Sequence, residues 1–184
     1  MLSLHMHKLS MDQLNRVDVD TFKSQEKNPI AIILDNVRSM HNVGSAFRTA
    51  DALAIDRILL CGITGTPPHR EIEKTALGAT QSVIWEYYKE TIDAVNQLKA
   101  EGFQVYAVEQ TDNSISLETF EPNDQQKYAL VFGNEVHGVE EEVIQQADGT
   151  IEIPQFGTKH SFNVSVTIGI VLWDFINKLK FIKK

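Results

Sequence analysis

Apolar and polar residues fall into short blocks along most of this chain. Pro29 to Leu34 (PIAIIL) is an unbroken apolar run between polar flanks, the pattern of a strand covered on both faces. Arg57 to Cys61, Val83 to Tyr88, Phe103 to Val108, Tyr128 to Phe132 and Thr150 to Ile153 read as further strands. Helical spacing lies between them. Val43 to Leu53 sets Val43, Ala46, Phe47, Ala50 and Ala54 on one side, with Asn42 placed as N-cap. Glu71 to Ala79 reads as a short helix, and Thr91 to Ala100 as an amphipathic one stopped by Gly102. Glu140 to Gln146 is a fourth helical stretch, with an acidic first turn. His7 to Val17 suits a short helix and Asp18 to Asn28 a polar connector. Asp112 to Gln126 reads as an acidic surface excursion with one turn at Leu117 to Phe120.

The last segment is ambiguous by pattern. Asn163 to Val171 (NVSVTIGIV) alternates and is β-branched, as a strand would be. Val164, Ile168, Val171, Phe175 and Leu179 also fit one helical face, and the run is too long for a single strand, which favours a helix. Strand and helix then alternate throughout, so the expected fold is α/β, a mostly parallel sheet flanked by helices. Two Gly-bearing loops, FGNEVHG (Phe132 to Gly138) and PQFGTKHSFN (Pro154 to Asn163), each follow a strand. Open parallel sheets bind ligands at the carboxyl ends of their strands, so these loops outline a candidate crevice.

A chain of 184 residues suffices for one domain with a full core. Residues 1–28 read as a short N-terminal extension and 29–184 as the domain. No apolar run reaches bilayer length, and the N-terminus lacks the basic and apolar regions of a secretory signal, so no membrane partner and a cytoplasmic location are expected. A lone Cys61 fits a reducing compartment. The net charge of −8 disfavours nucleic acid as a partner. The bases are clustered, however: Arg38, His41 and Arg48; His69, Arg70 and Lys74; Lys159 and His160; Lys178 to Lys184. If these groups meet in space, an acidic protein carries a basic face.

Several chemistries lack their signatures. FGNEVHG spaces two glycines like a phosphate loop, but Val139-Glu140 stands where Lys-Ser/Thr would bind phosphate and Mg²⁺. Neither G-x-G-x-x-G nor the G-x-S-x-G elbow occurs. The six histidines, His5, His7, His41, His69, His137 and His160, have no metal-ligand spacing, so no metal is expected. In NVGSAFR (Asn42 to Arg48), the glycine permits close backbone approach and the helix N-terminus suits an anion. A capped helix with a solvated arginine is the plainer reading. Glu135 serves equally as a turn carboxylate, and Ser161 and Asn163 as ordinary N-caps.

Taken together, NVRSMHNVGSAFRTADA (Asn36 to Ala52), LVFGNEVHGV (Leu130 to Val139) and IPQFGTKHSFNVSVTIGI (Ile153 to Ile170) resemble, in order, the three signature motifs of the SpoU/TrmH branch of the SPOUT superfamily. That branch comprises S-adenosylmethionine-dependent RNA ribose 2′-O-methyltransferases. The resemblance implies a C-terminal deep trefoil knot, with the last segment a helix following a threaded loop. It implies a cofactor held largely by backbone, at Gly133, Ile153 and Phe162. It also implies a homodimer whose site is completed across the interface, and a catalytic set of Asn42, Arg48, Glu135, Ser161 and Asn163. Arg48 would assist the ribose 2′-hydroxyl. A guanidinium stays charged, so stabilising the developing alkoxide or relaying through an RNA phosphate suits it, and the literal base stays open. Asn42, Ser161 and Asn163 would orient Arg48 and the loops; Glu135 would hold the motif loop or the RNA. The 28 residues before the first strand are too few for an added substrate domain, so tRNA is favoured over rRNA as substrate. A non-catalytic RNA-binding module retaining the fold, and a base methyltransferase of the same superfamily, are the rivals.

Overall fold

The computed structural model describes residues 7–10, 12–14, 16–159 and 161–179. Seven strands form one sheet: β1 (Asn28–Asp35), β2 (Ile55–Cys61), β3 (Ile84–Tyr88), β4 (Phe103–Val108), β5 (Ile115–Ser116), β6 (Lys127–Phe132) and β7 (Gly149–Glu152). The strands lie in the order β3-β2-β1-β6-β4-β7-β5, and every pairing is parallel. In register, Ile32 of β1 lies between Ile58 of β2 and Leu130 of β6. All carboxyl ends therefore open on one edge of the sheet. The helices are α1 (Val19–Ser24), α2 (Met40–Ala52), α3 (Arg70–Ala76), α4 (Ala79–Ser82), α5 (Thr91–Ala100), α6 (Glu141–Gln146) and α7 (Val164–Leu179).

The apolar strands are explained by a core on each face of the sheet. Ile30, Ile32 and Leu34 join the cluster under α2, α3 and α7, while Ala31 and Ile33 join the one under α5 and α6. With both faces covered, alternation disappears from the sequence, as it does for buried parallel strands. The final segment is a helix. Val164, Ile168, Val171, Phe175 and Leu179 form its buried face, and α7 packs on α2.

Three sequence expectations change. Within the described part of His7 to Val17 there is only a 3₁₀ turn, Asp12–Leu14; the helix forms in the supposed connector, where the Asp18 carboxylate accepts from Thr21 N at 2.9 Å and Phe22 is buried. The acidic excursion carries a core patch. Leu117 and Phe120 are buried, with Phe120 stacked on Phe175 at 5.3 Å and edge-on to Tyr106 at 4.9 Å. Polar residues outnumber these two, so segment averages hid them. Lys178, counted among the clustered bases, is committed within the chain: its ammonium donates to Leu117 O at 2.6 Å and pairs with Asp174 at 2.8 Å. His5, His160 and positions 180–184 of the basic tail lie outside the described residues.

Candidate functional site

A cavity of about 720 Å³ opens at the carboxyl ends of β4, β6 and β7, where the two Gly-bearing loops meet. Gly133, Ile153 and Phe162 line it, as do Glu135, Ser161 and Asn163. Gly133 has a steric reason. A Cβ there would run into the backbone of Gly138 and Val139, because the loop folds back on itself. Asn134 and Gly138 exchange both backbone hydrogen bonds at 2.9 Å, and the Asn134 side chain accepts from Val136 N at 2.8 Å. The loop is thus a closed hairpin set against the end of β6.

Asn163 realises the capping reading. Its side-chain oxygen accepts from Ser165 N at 2.9 Å, starting α7 at the cavity wall. Glu135 does more than fill a turn. One carboxylate oxygen accepts from Arg38 N at 2.9 Å; the other accepts from Ser39 N and from the Asn42 side-chain amide, both at 3.0 Å. Burial pushes this carboxyl up, but the Arg38 and Ser39 amides outweigh it and hold it below the usual glutamate range. Glu135 therefore occupies the α2 N-terminus that sequence reading had left for an external anion. The N-cap is Ser39, whose hydroxyl accepts from Asn42 N at 3.3 Å, so α2 begins earlier than Asn42. Asn42 sits in the first turn with its side chain committed to Glu135. Gly44 does make a close approach, but to α3: a Cβ would meet Thr75 and the Ile72 carbonyl.

Arg48 is not brought to the cavity. It is exposed on α2 and absent from the cavity wall. Six residues turn a helix by about 600°, roughly 120° short of two turns, so Arg48 and Asn42 leave α2 in different directions. Arg48 instead shares a stripe with His41, seven residues earlier. The first two basic groups meet through His41. His41, Lys74 and Arg70 gather on Glu71 at 3.0, 2.7 and 4.0 Å.

Sequence reasoning missed the buried scaffold behind the loop. Asp35, fully buried at the end of β1, accepts from the Thr91 hydroxyl at 2.6 Å and from Glu140 N at 2.8 Å, fixing the starts of α5 and α6. Asn36, at φ +54°, donates to Glu140 at 2.7 Å and accepts from Ile63 N at 3.1 Å, while its carbonyl accepts from Asn134 at 2.7 Å. A polar pair closing an apolar strand was the available signal. Desolvation and then Asp35 push the Glu140 carboxyl above its ordinary range. Burial, with Asp35 adding to it, raises the Cys61 thiol to about 12, so this cysteine is no nucleophile. Glu109 and Gln110, just past β4, also line the cavity.

The profile of the SpoU rRNA Methylase family matches residues 29–173. A tRNA (guanosine(18)-2'-O)-methyltransferase of Thermus thermophilus is 32% identical over 79% of this chain and 73% of its own length. Its counterpart in Borreliella burgdorferi is 28% identical over 83% of this chain and 68% of its own length. Among solved structures, an AdoMet-bound rRNA methyltransferase from Sinorhizobium meliloti superposes with a TM-score of 0.76 at 29% identity; the match covers 84% of this chain and 58% of that one.

Proposed function

The chain belongs to the SpoU rRNA Methylase family, and from that premise we propose that it transfers a methyl group from S-adenosylmethionine to a ribose 2′-hydroxyl of RNA, with tRNA as substrate. The observation that carries this reading is the cavity, whose wall is built from two of the three motif loops. Its interior suits the donor. Val108, Phe132, Ile144, Ile151 and Ile153 offer apolar surface, and Gly133, packed against the Gly138–Val139 backbone, lets the loop fold closely along the cavity wall. Gly133, Ile153 and Phe162 would hold the donor, which supplies an electrophilic methyl on sulfur.

The protein's own groups would do the rest. Glu135 and Asn42 tie the donor loop to the start of α2, so the loop and the helix bearing Arg48 keep a fixed relation. Asn163 caps α7 at the opposite wall, which Ser161 also lines. Arg48, charged at neutral pH, would stabilise the alkoxide forming as the 2′-hydroxyl loses its proton, or hold the adjacent phosphate. The stripe of His41 and Arg48, with Arg70 and Lys74 beside it, gives the RNA backbone a basic track on an acidic protein.

Arg48 lies outside its own cavity, which supports a site completed by a second copy. On the outer side of α7, Val166, Ile170 and Trp173 are exposed at helical spacing, and nothing lies within 4 Å of a Cβ built on Gly169. A mid-helix glycine costs about 1 kcal/mol relative to alanine. With no internal neighbour requiring it, close approach of another helix accounts for it, so this stripe is read as the homodimer contact. A knotted path is supported by the chain's return from β7, beyond β4, to pack α7 on α2.

Ribosomal RNA is the second reading, favoured by the Sinorhizobium neighbour. Incubating the protein with methyl-labelled donor and unmodified tRNA or rRNA decides between them. Label in tRNA alone supports the first reading, and label in rRNA alone the second. Label in neither, with the donor bound, returns the chain to a binding module.

A further inference from the structure

Glu109 has no assigned role, yet its carboxylate is among the best-fixed groups of the cavity. Its own N–H donates to Ile151 O at 3.0 Å, which anchors its backbone between β4 and β7. One carboxylate oxygen accepts from Gln110 N at 2.9 Å and the other from Val139 N at 3.1 Å. Gly138 adopts φ +72°, and a Cβ there would strike Glu109 Oε2. The left-handed conformation favours glycine at that turn, and the carboxylate lies directly against it.

A carboxylate has about four acceptor positions, and the two amides use two. Glu109 lines the cavity together with the apolar Val108, Ile144 and Ile151, so the remaining positions are left for a ligand there. Glu135, the other carboxylate at this loop, is engaged by three donors from the α2 end. An immobilised acceptor beside an apolar wall, at the carboxyl end of an inner parallel strand, suits a nucleoside. The base lies on the wall and the vicinal hydroxyls reach the acid, as acidic residues receive ribose in dinucleotide-binding sheets. Because the amides already fix the side chain, little rotamer freedom is lost on binding.

We propose that Glu109 receives the ribose hydroxyls of the methyl donor and couples donor binding to the geometry of the 133–139 loop. This rests on the donor assignment above. S-Adenosylhomocysteine is the suitable probe, because it carries no net charge and a general change in cavity potential barely affects it. Calorimetry compares it with its 2′,3′-dideoxyribose analogue on wild type and Glu109→Gln. Wild type should bind the dideoxy analogue about ten- to a hundredfold more weakly, the range for hydrogen bonds to a charged group. Glu109→Gln should bind the parent compound about that weakly, with no further loss for the analogue. Equal weakening of both ligands by the substitution would reduce Glu109 to a loop support and overturn the proposal, as would unchanged affinity for both. Wild type binding neither compound would instead remove the donor assignment itself. Should Glu109→Gln unfold, as urea titration would reveal, Glu109→Asp keeps the charge but withdraws it; preferential loss of the parent compound is then the expected result, and a uniform loss the contrary one.

Discussion

Glu135 and Arg48 sit at opposite ends of one argument about single side chains. Glu135 is bound by three donors from α2, so its chemistry within the chain is structural. Its carboxyl is held below the ordinary glutamate range, so its stabilisation is present above that range and is lost as pH falls through the depressed folded value. Glu135→Gln should therefore unfold at lower urea than wild type at pH 7, by about 0.5–1 kcal/mol given the exposed carboxylate. The gap should narrow as pH falls below the ordinary glutamate range; a gap constant with pH would contradict the capping account. Arg48 makes no such contacts and lies on the helix surface. Arg48→Ala should leave folding and donor affinity near wild type while lowering transfer by about 10²–10³-fold. Turnover at the wild-type rate would remove Arg48 from the mechanism.

At the scale of elements, the 133–139 loop and α2 form one unit through Glu135 and Asn36. Gly133→Ala must push the Gly138–Val139 backbone away, at about 1–3 kcal/mol for overpacking. Donor affinity, measured by calorimetry, should fall about tenfold or more, and an unchanged Kd would show that the loop does not form the donor wall. Most elements were legible because apolar runs and helical spacing are local properties, as Pro29 to Leu34 and Thr91 to Ala100 illustrate. The start of α2 was not, since Ser39 competes with Asn42 as cap and the deciding carboxylate comes from Glu135, 96 residues away from Ser39. Asp35 escaped for the same reason: its partners, Thr91 and Glu140, are remote in sequence. The crevice between the loops and the capping by Asn163 were legible, whereas the position of Arg48 outside the cavity follows from helix phase and from packing that no motif records.

Over the whole molecule, the proposed second copy rests on the exposed stripe of Val166, Ile170 and Trp173 and on the absence of Arg48 from the cavity wall. Trp173→Glu should yield monomers by light scattering, with the fold retained and transfer lost; an active monomer would contradict a shared site. The acidic total charge is compatible with a local basic track because His41, Arg70 and Lys74 are gathered at one place, around Glu71. The central claim, methylation of a ribose 2′-hydroxyl, has a chemical signature independent of sequence context. A 2′-O-methyl group blocks attack of that oxygen on the neighbouring phosphate, so RNA labelled by the protein can be hydrolysed in alkali and separated by chain length. Label in alkali-stable dinucleotides is the predicted result; label confined to mononucleotides would mean that the methyl group is on a base and would contradict the account.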